Sequence, residues 1–121
     1  MSKDFAKSKG WENGGKAVQG LKNEFNAANA TSICPWGEEG VYALLPNSET
    51  HIFVKTIQIT AIDTLGAGDC FIGAAIWALN EGIEIKKVLE FSVFVAGKKC
   101  SQKGLSNLKN LSEAKKIIER N

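Results

Sequence analysis

A glycine-rich turn constrains this chain more than any other segment, because it separates two stretches of different periodicity. Residues 55–61 alternate polar with apolar side chains, which predicts an extended segment. From Cys70 to Leu79 every residue except Gly73 is apolar, which predicts a helix that protein covers nearly all round. Between the two stretches stands Gly66-Ala67-Gly68-Asp69. The sequence therefore predicts an extended segment that enters a tight turn and continues as a helix at the centre of the core.

The residues of this turn favour an anion as ligand. Glycine at positions 66 and 68 lets the backbone turn sharply and approach a ligand closely. The helix that follows points its free N–H groups and the positive end of its dipole toward that ligand, an arrangement that favours a phosphate. Asp69 falls in the first turn of this helix, where a carboxylate can accept a proton from an attacking hydroxyl. The pattern thus indicates phosphoryl transfer to an alcohol.

Two other interpretations of the same turn compete with this one. A pair of glycines before an acid is commonly a tight turn in which the acid, here Asp69, is the helix N-cap. A dinucleotide-binding turn requires a third glycine three residues after the second, and Phe71 stands at that position. The dinucleotide interpretation therefore fails, whereas the N-cap interpretation stays open.

The remaining elements follow from spacing and turn residues, and together they predict an α/β fold with a central sheet flanked by helices. In chain order they are a helix over Lys16–Ala28, strands over Thr31–Cys34 and Gly40–Leu45 around a turn at Pro35–Glu39, an apolar strand segment that begins at His51, a helix with one buried stripe over Ile85–Ala96, and a last helix after Asn110. A helix-start signal at Ser2 has no strand before it, so we expect the second half of a larger domain.

Composition and charge exclude several classes of protein. The chain has 121 residues and a formal charge of +2, which predicts one modest domain and no nucleic-acid partner. The longest apolar run, Ala74 to Leu79, is far shorter than the roughly 18 residues that span a bilayer, so no membrane partner is expected. Polar residues follow Met1, and a cytoplasmic location is therefore predicted. Cys34, Cys70 and Cys100 lack metal-ligand spacing, which predicts reduced structural thiols and no metal site.

Four segments resemble the ribokinase-like carbohydrate kinases and keep their order along nearly the whole chain. They are residues 2–7, 36–40, 63–69 and 95–100. The resemblance implies a ribokinase-like sheet flanked by helices, of which only the C-terminal portion is present. On this basis residues 1–121 are expected to form the nucleotide-binding and catalytic-base part of a kinase domain, without its N-terminal sugar-binding and lid part.

The resemblance also implies a role for each residue of the glycine-rich turn. Gly66, Ala67 and Gly68 would form the anion hole that binds the transferred phosphoryl group and stabilises the transition state. Asp69 would contact the substrate as the base that activates the sugar hydroxyl. These implied roles agree with the interpretation drawn from the residues alone.

Two further segments receive a nucleotide-binding role from the resemblance. The turn formed by Gly37, Glu38, Glu39 and Gly40 would be the nucleotide-binding loop, although by itself it is equally well explained as a charged hairpin turn. Val93 and Gly97 would border the adenine pocket, although by themselves they are simply core positions.

The reaction implied by the resemblance is transfer of the γ-phosphoryl group of ATP to a ketohexose, with the 1-hydroxyl of fructose as the expected acceptor. Mg²⁺ would arrive with ATP, and a K⁺ requirement is implied only indirectly, through backbone carbonyls near Asp63 and Gly104. A homodimer is a possible assembly of the full-length protein. The competing hypothesis is a truncated chain without catalysis, which at most binds nucleotide or pairs with another subunit.

Overall fold

The computed structural model describes residues 1–56 and 66–100, with only the backbone described at Cys100. The chain divides into two compact units, Met1–Thr56 and Ile57–Asn121. The first unit contains helices α1 (Lys3–Ser8) and α2 (Gly14–Glu24) and strands β1 (Ser32–Pro35), β2 (Gly40–Leu44) and β3 (Ile52–Lys55). The second contains helices α3 (Ala67–Asn80) and α4 (Ile85–Cys100). The predicted combination of helices with a sheet is thus confirmed.

Side-chain caps fix where the first two helices begin. The Ser2 hydroxyl accepts a hydrogen bond from the Phe5 N–H at 3.2 Å and caps α1, which confirms the helix-start signal. The Asn13 side chain accepts from the Lys16 N–H at 2.8 Å, so α2 begins two residues earlier than its apolar spacing predicts. Asn26 adopts a φ of +51°, a left-handed conformation, and α2 therefore ends before the predicted Ala28.

The three strands form an antiparallel sheet in the order β1-β2-β3. Cys34 pairs with Tyr42 in β2, and Tyr42 pairs with Phe53 in β3. The helix α2 packs against β1 and β2, and the Ser32 hydroxyl donates to the Val18 carbonyl oxygen at 2.9 Å. The buried core of this unit consists of Ala6, Ala17, Val18, Cys34, Trp36 and Leu44. The predicted strands are confirmed with a shift of about one residue at their ends.

In the second unit α3 and α4 pack against each other through the apolar stripe that the spacing predicts on α4. Ile85, Val88, Leu89 and Val93 are all buried. Ser92 interrupts this stripe at full burial, and its hydroxyl donates to the Val88 carbonyl oxygen at 2.7 Å, so its polar group is satisfied.

The prediction that protein covers α3 nearly all round is wrong for this structure. Ile72, Ile76, Trp77 and Leu79 have exposed fractions of 57%, 55%, 44% and 42%. Among the described residues, α4 is the element packed against α3, and a single helix covers only one face of its partner. Residues 57–61 of the predicted extended segment and the last helix after Asn110 lie outside the described residues.

Candidate functional site

The start of α3 has the backbone form of an anion site. Gly66 is the N-cap residue with a φ of +83°, in the left-handed region that favours glycine. The first helical hydrogen bond runs from the Cys70 N–H to the Gly66 carbonyl oxygen at 3.0 Å. The N–H groups of residues 67–69 therefore have no acceptor within the helix, and Gly66 has no side chain to cap them. Such a helix start attracts negative charge.

Asp69 is the third residue of α3 and its side chain is exposed. Because the N-cap position belongs to Gly66, the interpretation of Asp69 as the helix N-cap is wrong. A carboxylate in the first turn interacts favourably with the helix dipole. It also lies at the same helix end as the N–H groups of residues 67 and 68, where it can accept a proton from a ligand bound there.

Gly68 is not required by packing within the described structure. A Cβ atom built at this position meets no atom within 4 Å, and the backbone φ lies outside the left-handed region. Glycine here leaves open space beside the first N–H groups of α3. This openness is what a ligand needs to approach the backbone closely.

The turn over residues 37–40 is the connection of a β-hairpin. Pro35 of β1 pairs with Val41 of β2, and the Trp36 N–H donates to the Gly40 carbonyl oxygen at 2.7 Å. Gly37 has a φ of +59° and Gly40 a φ of +149°, so both need the freedom of glycine. The charged hairpin interpretation thus describes the backbone correctly, and the nucleotide-binding role stays a prediction. We refer to residues 36–40 as the hairpin loop.

Packing also explains Gly40 without any ligand. A Cβ atom at this position would lie 2.4 Å from the Val54 carbonyl oxygen and 2.6 Å from the ring of Phe53. No side chain fits there, because the neighbouring strand passes too close. Its small size is therefore a requirement of the sheet.

Two residues outside the predicted motif hold the hairpin loop. The Tyr42 hydroxyl donates to the Glu39 carboxylate, and the Thr56 hydroxyl donates to the Gly37 carbonyl oxygen at 3.3 Å. The hydrogen bond to Glu39, together with burial and the negative charge of Glu39, raises the pKa of Tyr42 to about 12. Sequence reasoning missed both residues, since a tyrosine in an apolar strand and a threonine after a strand carry no special signal.

The other predicted site residues lie on α4. Val93 is buried and Gly97 is half-buried, and their spacing of four places them on one face of the helix. They share the second unit with the start of α3, whereas the hairpin loop belongs to the first unit. The predicted cation ligands around Asp63 and Gly104 lie outside the described residues.

The cysteine prediction is borne out at one position. Cys34 is fully buried in the core of the first unit, and burial raises the pKa of its thiol, which is typical of a structural cysteine. Within residues 1–56 and 66–99, no group of three or more His, Cys, Asp or Glu side chains is arranged to hold a metal ion. None of the helices in the described part of the chain is long and apolar enough to cross a membrane.

Comparison with known proteins identifies the family of the chain. Residues 5–111 match the profile of the pfkB family carbohydrate kinases, and the chain belongs to this family. Among curated proteins, mouse ketohexokinase is 36% identical over 108 residues. That match covers 89% of this chain and 36% of the mouse protein. The resemblance drawn from four short segments is thus confirmed.

Solved structures support the ribokinase-like fold. A candidate ribokinase from Agrobacterium tumefaciens superposes with a TM-score of 0.82 at 25% identity, covering 99% of this chain and 40% of the other. A candidate ribokinase II from E. coli in complex with ATP and Mg²⁺ gives 0.73 at 21% identity, covering 99% and 38%. Phosphofructokinase-2 from E. coli in complex with potassium gives 0.68 at 23%, covering 87% and 33%. The last two show the fold alone, and this chain spans less than half the length of each relative.

Proposed function

We propose that this chain supplies the nucleotide-binding and phosphoryl-transfer part of an ATP-dependent sugar kinase of ketohexokinase type. The observation that carries the proposal is the start of α3, where a left-handed Gly66 leaves the first N–H groups uncapped and Asp69 lies in the first turn. Membership of the pfkB family and the identity to mouse ketohexokinase support a sugar as the acceptor.

The chemistry assigned to this helix start is the transfer itself. A sugar hydroxyl oxygen attacks the γ-phosphorus of ATP, the bond to the bridging oxygen breaks, and ADP leaves with that electron pair. Asp69 accepts the hydroxyl proton. The N–H groups at Ala67 and Gly68, after the turn at Gly66, bind the oxygens on which negative charge develops. Mg²⁺ bound to ATP would supply further charge neutralisation, and the described residues offer it no side-chain cluster of their own.

Nucleotide contacts complete the proposal. The hairpin loop, with Glu38 at its exposed tip, and the α4 residues Val93 and Gly97 are assigned to ATP. Fructose is the proposed acceptor because ketohexokinase is the curated relative described above. A potassium requirement is proposed from the potassium complex of phosphofructokinase-2. A homodimer and a cytoplasmic location are proposed as well.

A second candidate function is favoured by a specific observation. The chain spans 36% of the length of mouse ketohexokinase, and α3 exposes four large apolar side chains. A chain of this kind would bind nucleotide or pair with another subunit without catalysis of its own. Exposed apolar patches commonly mark interaction surfaces.

Two measurements on the purified 121-residue chain come first: the dissociation constant for Mg·ATP, and fructose-dependent release of ADP. Both candidates predict binding without turnover for this chain alone, because the sugar-binding and lid part is expected to be absent from it, and turnover by the chain alone would exclude the second candidate. A chimera in which this chain replaces the matching segment of mouse ketohexokinase then tests the phosphoryl-transfer role. We expect the chimera to phosphorylate fructose. A folded chimera that neither binds Mg·ATP nor turns over would overturn the proposed function.

A further inference from the structure

Resting on the nucleotide-binding role proposed for the hairpin loop, we propose that Tyr42 and Thr56 are positioning residues that hold this loop in its binding form. Glu39 is the side chain that Tyr42 holds, and is not itself a nucleotide ligand. The ligand-facing part of the loop is then the exposed tip at Gly37 and Glu38.

Thr56 attaches the loop to the third strand of the sheet. It directly follows β3, its hydroxyl donates to the Gly37 carbonyl oxygen at 3.3 Å, and its N–H lies 3.5 Å from the Glu39 carbonyl oxygen. The two strands of a hairpin fix the ends of its loop. Here Thr56, directly after β3, also contacts Gly37 and Glu39, and these contacts restrict the loop on both sides of Glu38.

Tyr42 provides a rigid second attachment through the Glu39 carboxylate. Its ring centroid lies 4.8 Å from that of Phe53, its partner in the register, and 5.3 Å from that of His51. On α2 the absence of a side chain at Gly14 makes room for the same ring, since a Cβ atom there would lie 1.9 Å from it. A tyrosine packed on three sides has little freedom, so its hydroxyl holds Glu39 in one place.

The two glutamates of the loop therefore have different tasks. The Glu39 carboxylate accepts a hydrogen bond from the Tyr42 hydroxyl, and the backbone N–H of Glu39 donates to the Trp36 carbonyl oxygen at 3.3 Å. Glu38 and Glu39 are both exposed, but within the part of the chain that the structure describes neither the Glu38 N–H nor the Gly37 N–H has a protein acceptor. Two adjacent N–H donors on a restricted tip are what a polar ligand can bind through the backbone.

The test measures the dissociation constant of Mg·ATP for the full 121-residue chain and its variants, with melting temperatures alongside. We expect Tyr42→Phe and Thr56→Val each to weaken binding about 3- to 10-fold, the usual effect of one lost hydrogen bond. Thr50→Val, an exposed threonine between β2 and β3, is the matched control and should bind as the wild type does.

Conservative replacement separates positioning from direct ligand contact. Glu39→Gln keeps an oxygen acceptor for the Tyr42 hydroxyl and should bind within about twofold of the wild type. Glu39→Ala should bind as weakly as Tyr42→Phe, and combining the two should add no further loss, because both remove the same contact. The glutamate pair also keeps the test decisive if Tyr42→Phe does not fold.

The outcomes distinguish this inference from the function on which it rests. If the wild type binds Mg·ATP and the Tyr42→Phe and Thr56→Val chains bind it equally tightly, the positioning role is wrong and the proposed function stands. The positioning role is also wrong if Glu39→Gln loses binding as fully as Glu39→Ala. If the folded wild type does not bind Mg·ATP at all, the nucleotide-binding role of the loop fails and the inference fails with it.

Discussion

Replacing Gly68 tests the anion site with little disturbance of the fold. A Cβ atom at this position meets nothing within 4 Å, and the same is true of Gly73 in the same helix. Both residues are exposed, and neither has a positive φ. Exchanging glycine for alanine within a helix gains roughly 0.5–1 kcal/mol, so Gly68→Ala and Gly73→Ala should both raise the melting temperature slightly. A difference between the two variants in Mg·ATP binding or in turnover then reflects contact with the ligand and not a change in the fold.

The expected functional loss follows from the N–H groups that a side chain at position 68 would cover. A hydrogen bond to a charged group contributes about 1.5–3 kcal/mol, which corresponds to a 10- to 100-fold change in affinity. We therefore expect Gly68→Val to weaken Mg·ATP binding by at least about tenfold and to abolish fructose kinase activity in the ketohexokinase chimera. AMP, which lacks the terminal phosphates, should bind equally well to the wild type and to Gly68→Val.

The assay compares Gly68→Val with Gly73→Val by calorimetric titration with Mg·ATP and AMP, followed by ADP release in the chimera. Valine at Gly73 controls for the cost of a branched side chain in this helix. If the folded Gly68→Val chain binds Mg·ATP and turns over as the Gly73→Val chain does, the start of α3 is not the phosphate site.

Three further predictions concern other described residues. Asp69→Asn in the chimera should lower kcat by about 10²- to 10⁴-fold with little change in ATP affinity, and near wild-type turnover would remove Asp69 from the mechanism. Tyr42 is the only tyrosine, so tyrosinate absorbance should report a pKa of about 12 for it and, in Glu39→Ala, a return toward 10. Because the folded chain keeps this proton where the unfolded chain loses it, Tyr42 should make stability fall as pH rises from about 10 to 12, and a shallower fall in Glu39→Ala is the control. Ile72→Lys combined with Ile76→Glu should increase the monomer fraction in size-exclusion chromatography if the exposed face of α3 drives association, and an unchanged profile argues against it.

Periodicity predicts which elements form, and local caps decide where they begin. The helix spacing around Val18 and around Val88 is sufficient for α2 and α4, because one buried face determines a helix over three or more turns. The apolar run itself begins only at Cys70, but the glycine-rich turn before it places Asp69 in the first turn of α3, which the helix start at Ala67 confirms. The left-handed Gly66 supplies the N-cap, and small residues then continue the helix without contributing to an apolar pattern.

The contact between Glu39 and Tyr42 could not be predicted from spacing. Residues three apart are neighbours on a helix, but on a strand they point to opposite faces. Only the hairpin brings these two side chains together, because Gly40 adopts a φ of +149° between them and changes the direction of the chain. The burial predicted for α3 is wrong for a related reason: an apolar run shows that a helix can be covered, but the packing partners determine how much of it is.

The glycines of the two candidate motifs differ in how strongly they point to a ligand. At Gly40 a side chain would collide with the backbone of β3, so the sheet requires glycine whether or not a nucleotide binds. At Gly68 an alanine side chain would meet no other atom, and it would stabilise the helix. The sequence nevertheless has glycine at this position. Gly73 is equally open in the same helix, so openness alone does not assign a function; Gly68 differs in lying in the first turn, beside N–H groups that have no acceptor within the helix. The glycine at position 68 therefore agrees with the phosphate site proposed at the start of α3, whereas the glycine at position 40 gives no support to the nucleotide-binding role proposed for the hairpin loop.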